Sequence, residues 1–449
     1  MKLHTLTTSA LVLAMASAGS WAKVSSHQAE KLGKELTIIG AIASSNKDGS
    51  IPRYTGGLAH NETANPVKDI FANEKPLFTI TEKNLEKYKE NLSQGQIALF
   101  KKYPATYSMP IYKTHRTAAY PNSIYKDAKT NAINTELVSS GSGLKNFDGS
   151  IPFAIPKDGL EVIWNHVSRY RGGSVMRNTA RIAVTPQGDY LPVKIEGLLT
   201  SPAYLEDGFD AKKDNNILFY YMQAIKSPAR LTGNVLLVHE TIDQIEQPRM
   251  AWSYNAGQRR VRRAPQVAYD APAQGTSGMS TADQVDMFNG APNKYDWMLV
   301  GKKEVYIPYN SYKIANPDVS YSEIVQPGHI DQSYSRYELH RVWQVEATLK
   351  AGERHVYGKR TFYIDEDSWQ IALSDQFDSR GILWRASEGH ALQFVNANTP
   401  WYVANTNYDL LSGGYNVDLV NEEKEPFKFG LKIKRKNFTA AALRRQGKR

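Results

Sequence analysis

The chain has 449 residues, with 55 Lys+Arg against 45 Asp+Glu, a formal charge of +10 and no cysteine. Its apolar fraction of 41%, with 11% aromatics, excludes wholesale disorder, and its length allows about two to four domains or one large β domain with additions. The lack of cysteine excludes a disulfide-stapled scaffold, an iron–sulfur protein, a Cys-ligated zinc site, thiol catalysis and lipid anchoring through an N-terminal cysteine.

Residues 1–22 read as a secretory signal peptide. Lys2 and His4 open it, Ala10–Ala16 forms a short apolar stretch, and Ser20-Trp21-Ala22 offers small residues around a cleavage site. The apolar run is too short for a membrane anchor, which needs ~20 residues. Cleavage after Ala22 would leave a mature protein that starts near Lys23 and resides in a bacterial periplasm.

Residues 23–180 read as irregular and helical. Helices are expected over Ser25–Gly33, within Glu82–Lys102, over Tyr120–Val138 and over Gly159–Tyr170. The string Asp48-Gly49-Ser50-Ile51-Pro52 recurs as Asp148-Gly149-Ser150-Ile151-Pro152, which reads as two turns built alike.

From Arg181 to Glu423 the pattern becomes one of strands. Val193–Thr200, Asn216–Ala224, Asn234–Gln244, Arg249–Asn255, Lys303–Pro308, Tyr334–Lys350, Glu353–Ile364, Trp369–Asp378, Leu383–Asn396, Trp401–Leu410 and Tyr415–Asn421 are rich in Val, Ile, Tyr, Phe and Trp. Short turns between them predict an antiparallel meander, either a closed barrel or a curved sheet. In the longest strand Leu339, Arg341, Trp343, Val345 and Ala347 share one face, and an apolar face that long needs helices or a ligand to cover it. An outer-membrane barrel fits poorly beside so much helical and polar sequence.

No catalytic motif emerges. The ten histidines are scattered without metal-binding spacing, and no nucleophile elbow, Walker or dinucleotide glycine pattern occurs. Asp365-Glu366-Asp367 is the densest acidic cluster and reads as a solvated hairpin turn, although it holds the sole candidates for a hydrolase. No cofactor and no metal is implied.

Two basic features stand out. Arg259, Arg260, Arg262 and Arg263 follow a turn at Asn255–Gln258, in which Gly257 is free to take positive φ. They suit either a charged edge that blocks aggregation or a dock for an acidic partner or anionic headgroups. The tail Lys424–Arg449 holds ten basic residues and one acid, so almost all of the +10 resides there and the body is neutral. In an exported protein this favours a peripheral contact with anionic lipid or an acidic protein over nucleic acid.

Five segments resemble a periplasmic family, domain of unknown function 1329: Asp48–Gly57, Lys113–Pro121, Gly159–Gly172, Trp252–Asp270 and the run Tyr337–Gly389. The resemblance implies a fold similar to the lipoprotein carriers LolA and LolB, mainly β (α+β). In that fold a strongly curved antiparallel half-barrel has helices plugging its concave face. The resemblance also implies a setting beside RND-type transporters and outer-membrane proteins, and it carries over no catalytic residue. The expected function is a non-enzymatic carrier or chaperone-like binding protein for hydrophobic or amphiphilic molecules bound for the outer membrane. Candidate lining residues are Tyr220, Met222, Leu237, Trp252, Tyr254, Trp343, Val345, Phe362, Ile364 and Trp384. The alternatives are a cargo-free adaptor that bridges an inner-membrane transporter and an outer-membrane protein, or, more weakly, a hydrolase of lipid or polysaccharide.

Overall fold

The structure, a computed structural model, describes residues 24–447 apart from 139 and 424. The expected signal peptide and its cleavage site lie outside the described residues. The N-terminal part holds helices α1 (Ser26–Ala29), α2 (Gln94–Lys102), α3 (Asn122–Asn134) and α4 (Gly159–Val167). Its strands are short: β1 (Phe78–Ile80), β2 (Met109–Ile111), β3 (Glu136–Leu137) and β4 (Leu144–Lys145). A run of six strands follows: β5 (Val175–Val184), β6 (Tyr190–Thr200), β7 (Ile217–Ser227), β8 (Val235–Thr241), β9 (Met250–Asn255) and β10 (Arg260–Arg263). The second run is β11 (Tyr295–Pro308), β12 (Tyr337–Leu349), β13 (Lys359–Asp365), β14 (Ile371–Phe377), β15 (Leu383–Phe394), β16 (Thr399–Asp409) and β17 (Tyr415–Leu419). Short helices α5 (Ala211–Asp214) and α6 (Tyr321–Ile324), strand β18 (Phe427–Phe429) and helix α7 (Ala440–Gln446) complete the chain.

The two runs form one curved sheet. Each run is a meander, and they join where β17 pairs antiparallel with β5, Tyr415 opposite Val184 and Leu419 opposite Ala180. β10 ends the sheet on one side and β11 on the other, so the sheet is not closed into a barrel. The parallel element is a single residue pair, Ile111 with Tyr337, between β2 and β12.

Along Val193–Asn421 the eleven expected strands are found in order as β6–β9 and β11–β17, and β10 follows the turn at Asn255–Gln258. β5, Val175–Val184, is a strand where none is expected, and β11 starts at Tyr295 rather than Lys303. Asp296, Met298 and Val300 are exposed at this sheet end, so the first half of β11 lacks the apolar alternation that marks a buried strand.

Both faces of the sheet are covered. Every residue of β14 and β16 is buried, as expected only when layers pack on either side. α2 is opened by a Ser93–Gln96 capping box and buries Leu99 and Phe100. It approaches β14 and β15 so closely that a Cβ on Gly95 would lie 2.3 Å from an Asp375 carboxylate oxygen. α4, capped by Asp158, lies over β11 and β12 with Gly159 against Val345. In the N-terminal segment Gly40 has φ +91°, and a Cβ there would fall 1.6 Å from the Ala154 carbonyl oxygen.

The acidic cluster departs from its expected environment. Asp365, Glu366 and Asp367 are not solvated but almost wholly enclosed. Arg116 donates through Nε and Nη2 to the two oxygens of Asp367, each at 2.7 Å. Lys302 reaches Glu366 at 2.6 Å, and Arg341 reaches it at 3.4 Å. The missing information was long-range: Arg116 comes from a segment some 250 residues earlier that drapes over the β13–β14 turn.

The basic tail is likewise ordered where described. Ile433, Phe438 and Leu443 are buried against β7–β9, and Arg435 pairs with Asp207 and Asp214. Part of the anionic surface that the tail meets is therefore the protein's own. No helix among the described residues is long and apolar enough to cross a membrane.

Candidate functional site

Alternation along β5–β8 decides which side chains face inward. Arg177 and Arg181 on β5, Gly197 and Leu199 on β6, Phe219 and Tyr221 on β7, and Val238 on β8 point to one face. Residues 264–294, the connection from β10 to β11, pass over this face and leave two adjoining chambers beneath. The larger measures ≈ 360 Å³ and is walled by Phe219, Tyr221, Leu236 and Val238 from the sheet and by Val267 and Pro272 from the roof. The smaller measures ≈ 70 Å³ and holds Arg171, Arg177, Arg181, Asp286, Asn405 and Asp418. Arg181, Phe219, Tyr221, Val285 and Asn289 border both.

Buried charge pins the roof to the sheet. Arg249 pairs with Glu240 and also donates to the Val267 and Asn289 carbonyls of the roof, at 3.0 and 2.5 Å. Arg181 binds Asp418 at 2.9 and 3.1 Å and the Gln274 carbonyl at 2.7 Å. Asp283 takes Arg360 at 2.6 Å and His355 at 3.1 Å. At the far end Asp286 accepts from Arg169, Arg171 and Trp401. Burial pushes the Asp286 carboxyl upward, but Arg169 and Arg171 outweigh it and hold the group well below the usual range. Asp286 and Met287 are consecutive left-handed residues, φ 59° and 69°, a conformation that these contacts enforce.

The ten expected lining residues do not converge on this cavity. Tyr220, Met222, Leu237 and Tyr254, with Trp252 beside them, form a core beneath the C-terminal segment, where Tyr220 stacks on Phe438. Val345, Phe362 and Ile364 are in the main core, with Trp343 packed against it and stacked on Trp369. Trp384 lies under Arg385 and donates to Asp409. Of the ten, Tyr254 alone also borders the cavity. The residues that sequence reasoning missed are their neighbours of opposite parity, Phe219 and Tyr221, and the arginines of β5. In Phe219-Tyr220-Tyr221-Met222 both parities are apolar, so no alternation distinguishes them.

The arginine hairpin is a separate surface. Trp252 pairs with Arg263 and Tyr254 with Val261. Val261 turns in toward Tyr254 and the tail, and Arg263 stacks on Trp252 at 5.4 Å. In the turn the left-handed residue is Arg259, φ 53°, rather than Gly257. Arg259, Arg260, Arg262 and Arg263 are exposed and form no ion pair with a described residue. α7 packs alongside, adding exposed Arg444 and Arg445 to the same basic edge.

His340, Asp365 and Asp367 each bring a ligand atom within 4.8 Å of the others. Arg116 already occupies both oxygens of Asp367, so the arrangement holds the N-terminal segment to β13 by ion pairing.

The sheet is open and mainly antiparallel, and the 264–294 connection roofs a cavity on one of its faces. The chain belongs to DUF1329, a family of proteins of unknown function, whose model matches residues 79–444. An uncharacterised protein of Pseudomonas aeruginosa, PA3922, is 52% identical over 99% of this chain and 98% of its own length. A DUF1329 family protein from Desulfovibrio piger has a TM-score of 0.42 at 14% identity, covering 60% of this chain and 91% of that one. The LolA superfamily protein NE2245 from Nitrosomonas europaea has a TM-score of 0.39 at 12% identity, covering 64% of this chain and all of that one.

Proposed function

We propose that the protein is a periplasmic, non-enzymatic carrier or chaperone-like binding protein for hydrophobic or amphiphilic molecules, held between β5–β8 and the roof formed by residues 264–294. The observation that carries this reading is the larger chamber. At ≈ 360 Å³ it falls within the size range of small-molecule sites, and aromatic and aliphatic side chains supply much of its wall. A hydrocarbon chain entering it gains ~0.8 kcal/mol for each methylene removed from water. Cargo of this kind, bound for the outer membrane, would be received from or passed to an RND-type transporter or an outer-membrane protein. The unpaired arginine edge offers a docking face for such a partner or for anionic lipid. That same edge favours the second reading, an adaptor that bridges two membranes and carries no cargo.

Native mass spectrometry and solvent extraction of protein purified from the periplasm separate the two. A copurified apolar molecule, lost in a Val238→Trp variant that fills the larger chamber, supports the carrier. A protein that is empty in both forms and still captures a transporter supports the adaptor and removes the carrier.

A further inference from the structure

The small chamber carries positive charge without a matching anion. Three guanidinium groups, those of Arg171, Arg177 and Arg181, line it with two carboxylates, Asp286 and Asp418, and Arg169 shares Asp286 from outside the chamber. Asp286 is taken by Arg169 and Arg171, and Asp418 by Arg181. Arg177 is left over. Among the described residues its one polar contact is a long bond to the Tyr402 carbonyl, 3.4 Å, and its buried Nε has no acceptor. Trp401 and Phe427 flank the guanidinium, with ring centroids 5.7 and 5.6 Å away. Burial depresses the Arg177 pKa, and it brings that of Arg171 down to about 10 with help from Arg169, as expected of cations short of counter-charge. Asn405 borders the same chamber, and its Oδ1 is buried and unpartnered. Turned about χ2, its amide would present N–H donors to the same space.

A buried guanidinium that donates to no carboxylate is costly unless a ligand supplies the anion. The space available limits that anion. The small chamber, at ≈ 70 Å³, suits a compact head, and the ≈ 360 Å³ next door suits a longer apolar chain. A carboxylate is planar and accepts the parallel pair of bonds that a guanidinium offers.

Resting on the carrier reading above, we infer that the cavity selects a carboxylate-headed amphiphile of the fatty-acid class, with its head on Arg177 in the small chamber and its chain along Phe219, Tyr221 and Val238 in the large one. Arg177 thus sets specificity, and the apolar walls supply most of the affinity.

The test compares dodecanoate with dodecanol and dodecyltrimethylammonium as competitors for the neutral fluorophore phenylnaphthylamine on the delipidated mature protein. Dodecanoate is expected to bind at least about tenfold more tightly than dodecanol, the scale of one charge-assisted hydrogen-bond pair, and the cation most weakly. In Arg177→Gln the carboxylate preference falls to parity while dodecanol affinity holds. Arg177→Lys, which keeps the charge but not the fork, retains part of the preference. Equal binding of acid and alcohol by the native protein, or a preference that survives Arg177→Gln, overturns the assignment and leaves the carrier reading standing. Failure of every probe to bind removes the carrier reading itself. The native comparison decides the point even if a variant folds poorly. Removing a cation that no carboxylate pairs with is expected to leave the melting temperature of the ligand-free protein unchanged or higher, whereas Arg181→Leu, which strands Asp418, lowers it.

Discussion

Arg116→Met tests the long-range contact that fixes the N-terminal segment to the sheet. Arg116 and Asp367 each expose 2% of their side chains, and two 2.7 Å charge-assisted bonds join them. Removing the cation leaves Asp367 enclosed beside Asp365, whose carboxyl is already raised to about 6 by burial first and by Asp367 second. Stranding one partner of a buried pair costs about 3–5 kcal/mol, and this is the loss expected near pH 7.5. Guanidinium unfolding, followed by the fluorescence of the Trp343–Trp369 stack near the contact, measures the loss. Asp367→Asn in the Arg116→Met background restores part of the loss, because the stranded charge is gone. A loss under about 1 kcal/mol would show that the pair is not the buried contact described.

Three further outcomes follow from the same geometry. Burial pushes Glu388 up to about 7, above its unfolded value, so its ionisation destabilises the fold progressively from about pH 4 and fully above 7. Glu388→Gln is therefore expected to gain up to about 3 kcal/mol over the native chain at pH 8 and nothing at pH 4, and a gap independent of pH refutes this. Leu443→Ala empties a fully buried site under α7, costing about 2–5 kcal/mol and opening Arg444–Arg445 to trypsin. Unchanged stability and trypsin resistance would show that α7 does not anchor the tail. Replacing Arg259, Arg260, Arg262 and Arg263 with Ser should leave the unfolding midpoint within about 0.5 kcal/mol, while salt-sensitive binding to phosphatidylglycerol vesicles falls. Binding that persists removes the hairpin as a docking face.

Strand positions were legible in the sequence because they rest on local signals: β-branched and aromatic runs, punctuated by Gly, Asn, Asp and Pro. Facing was legible only where polar and apolar residues alternate. In β12, Val345 and Ala347 enter the main core as the alternation indicates, with Trp343 packed against it. In β7 both parities are apolar, and the tail that covers Tyr220 and Met222 lies about 200 residues downstream, so nothing local reveals which side encloses the cavity. No strand is expected before Val193, so the β5 arginines carry no signal in the sequence, and Asp418 and Asp286, which reach only some of them, come from far along the chain. The acidic run 365–367 misleads for a related reason: three carboxylates suggest solvent unless their cations, far off in the chain, are known.

A crystal structure with dodecanoate carrying a terminal bromine tests the cavity most directly, since anomalous scattering locates the chain end and the density locates the head. The expected result is a bromine peak in the larger chamber near Val238, with the carboxylate within hydrogen-bonding distance of Arg177. A bromine peak beneath α7 among Tyr220 and Met222, or on the outer surface with both chambers holding only water, would contradict it.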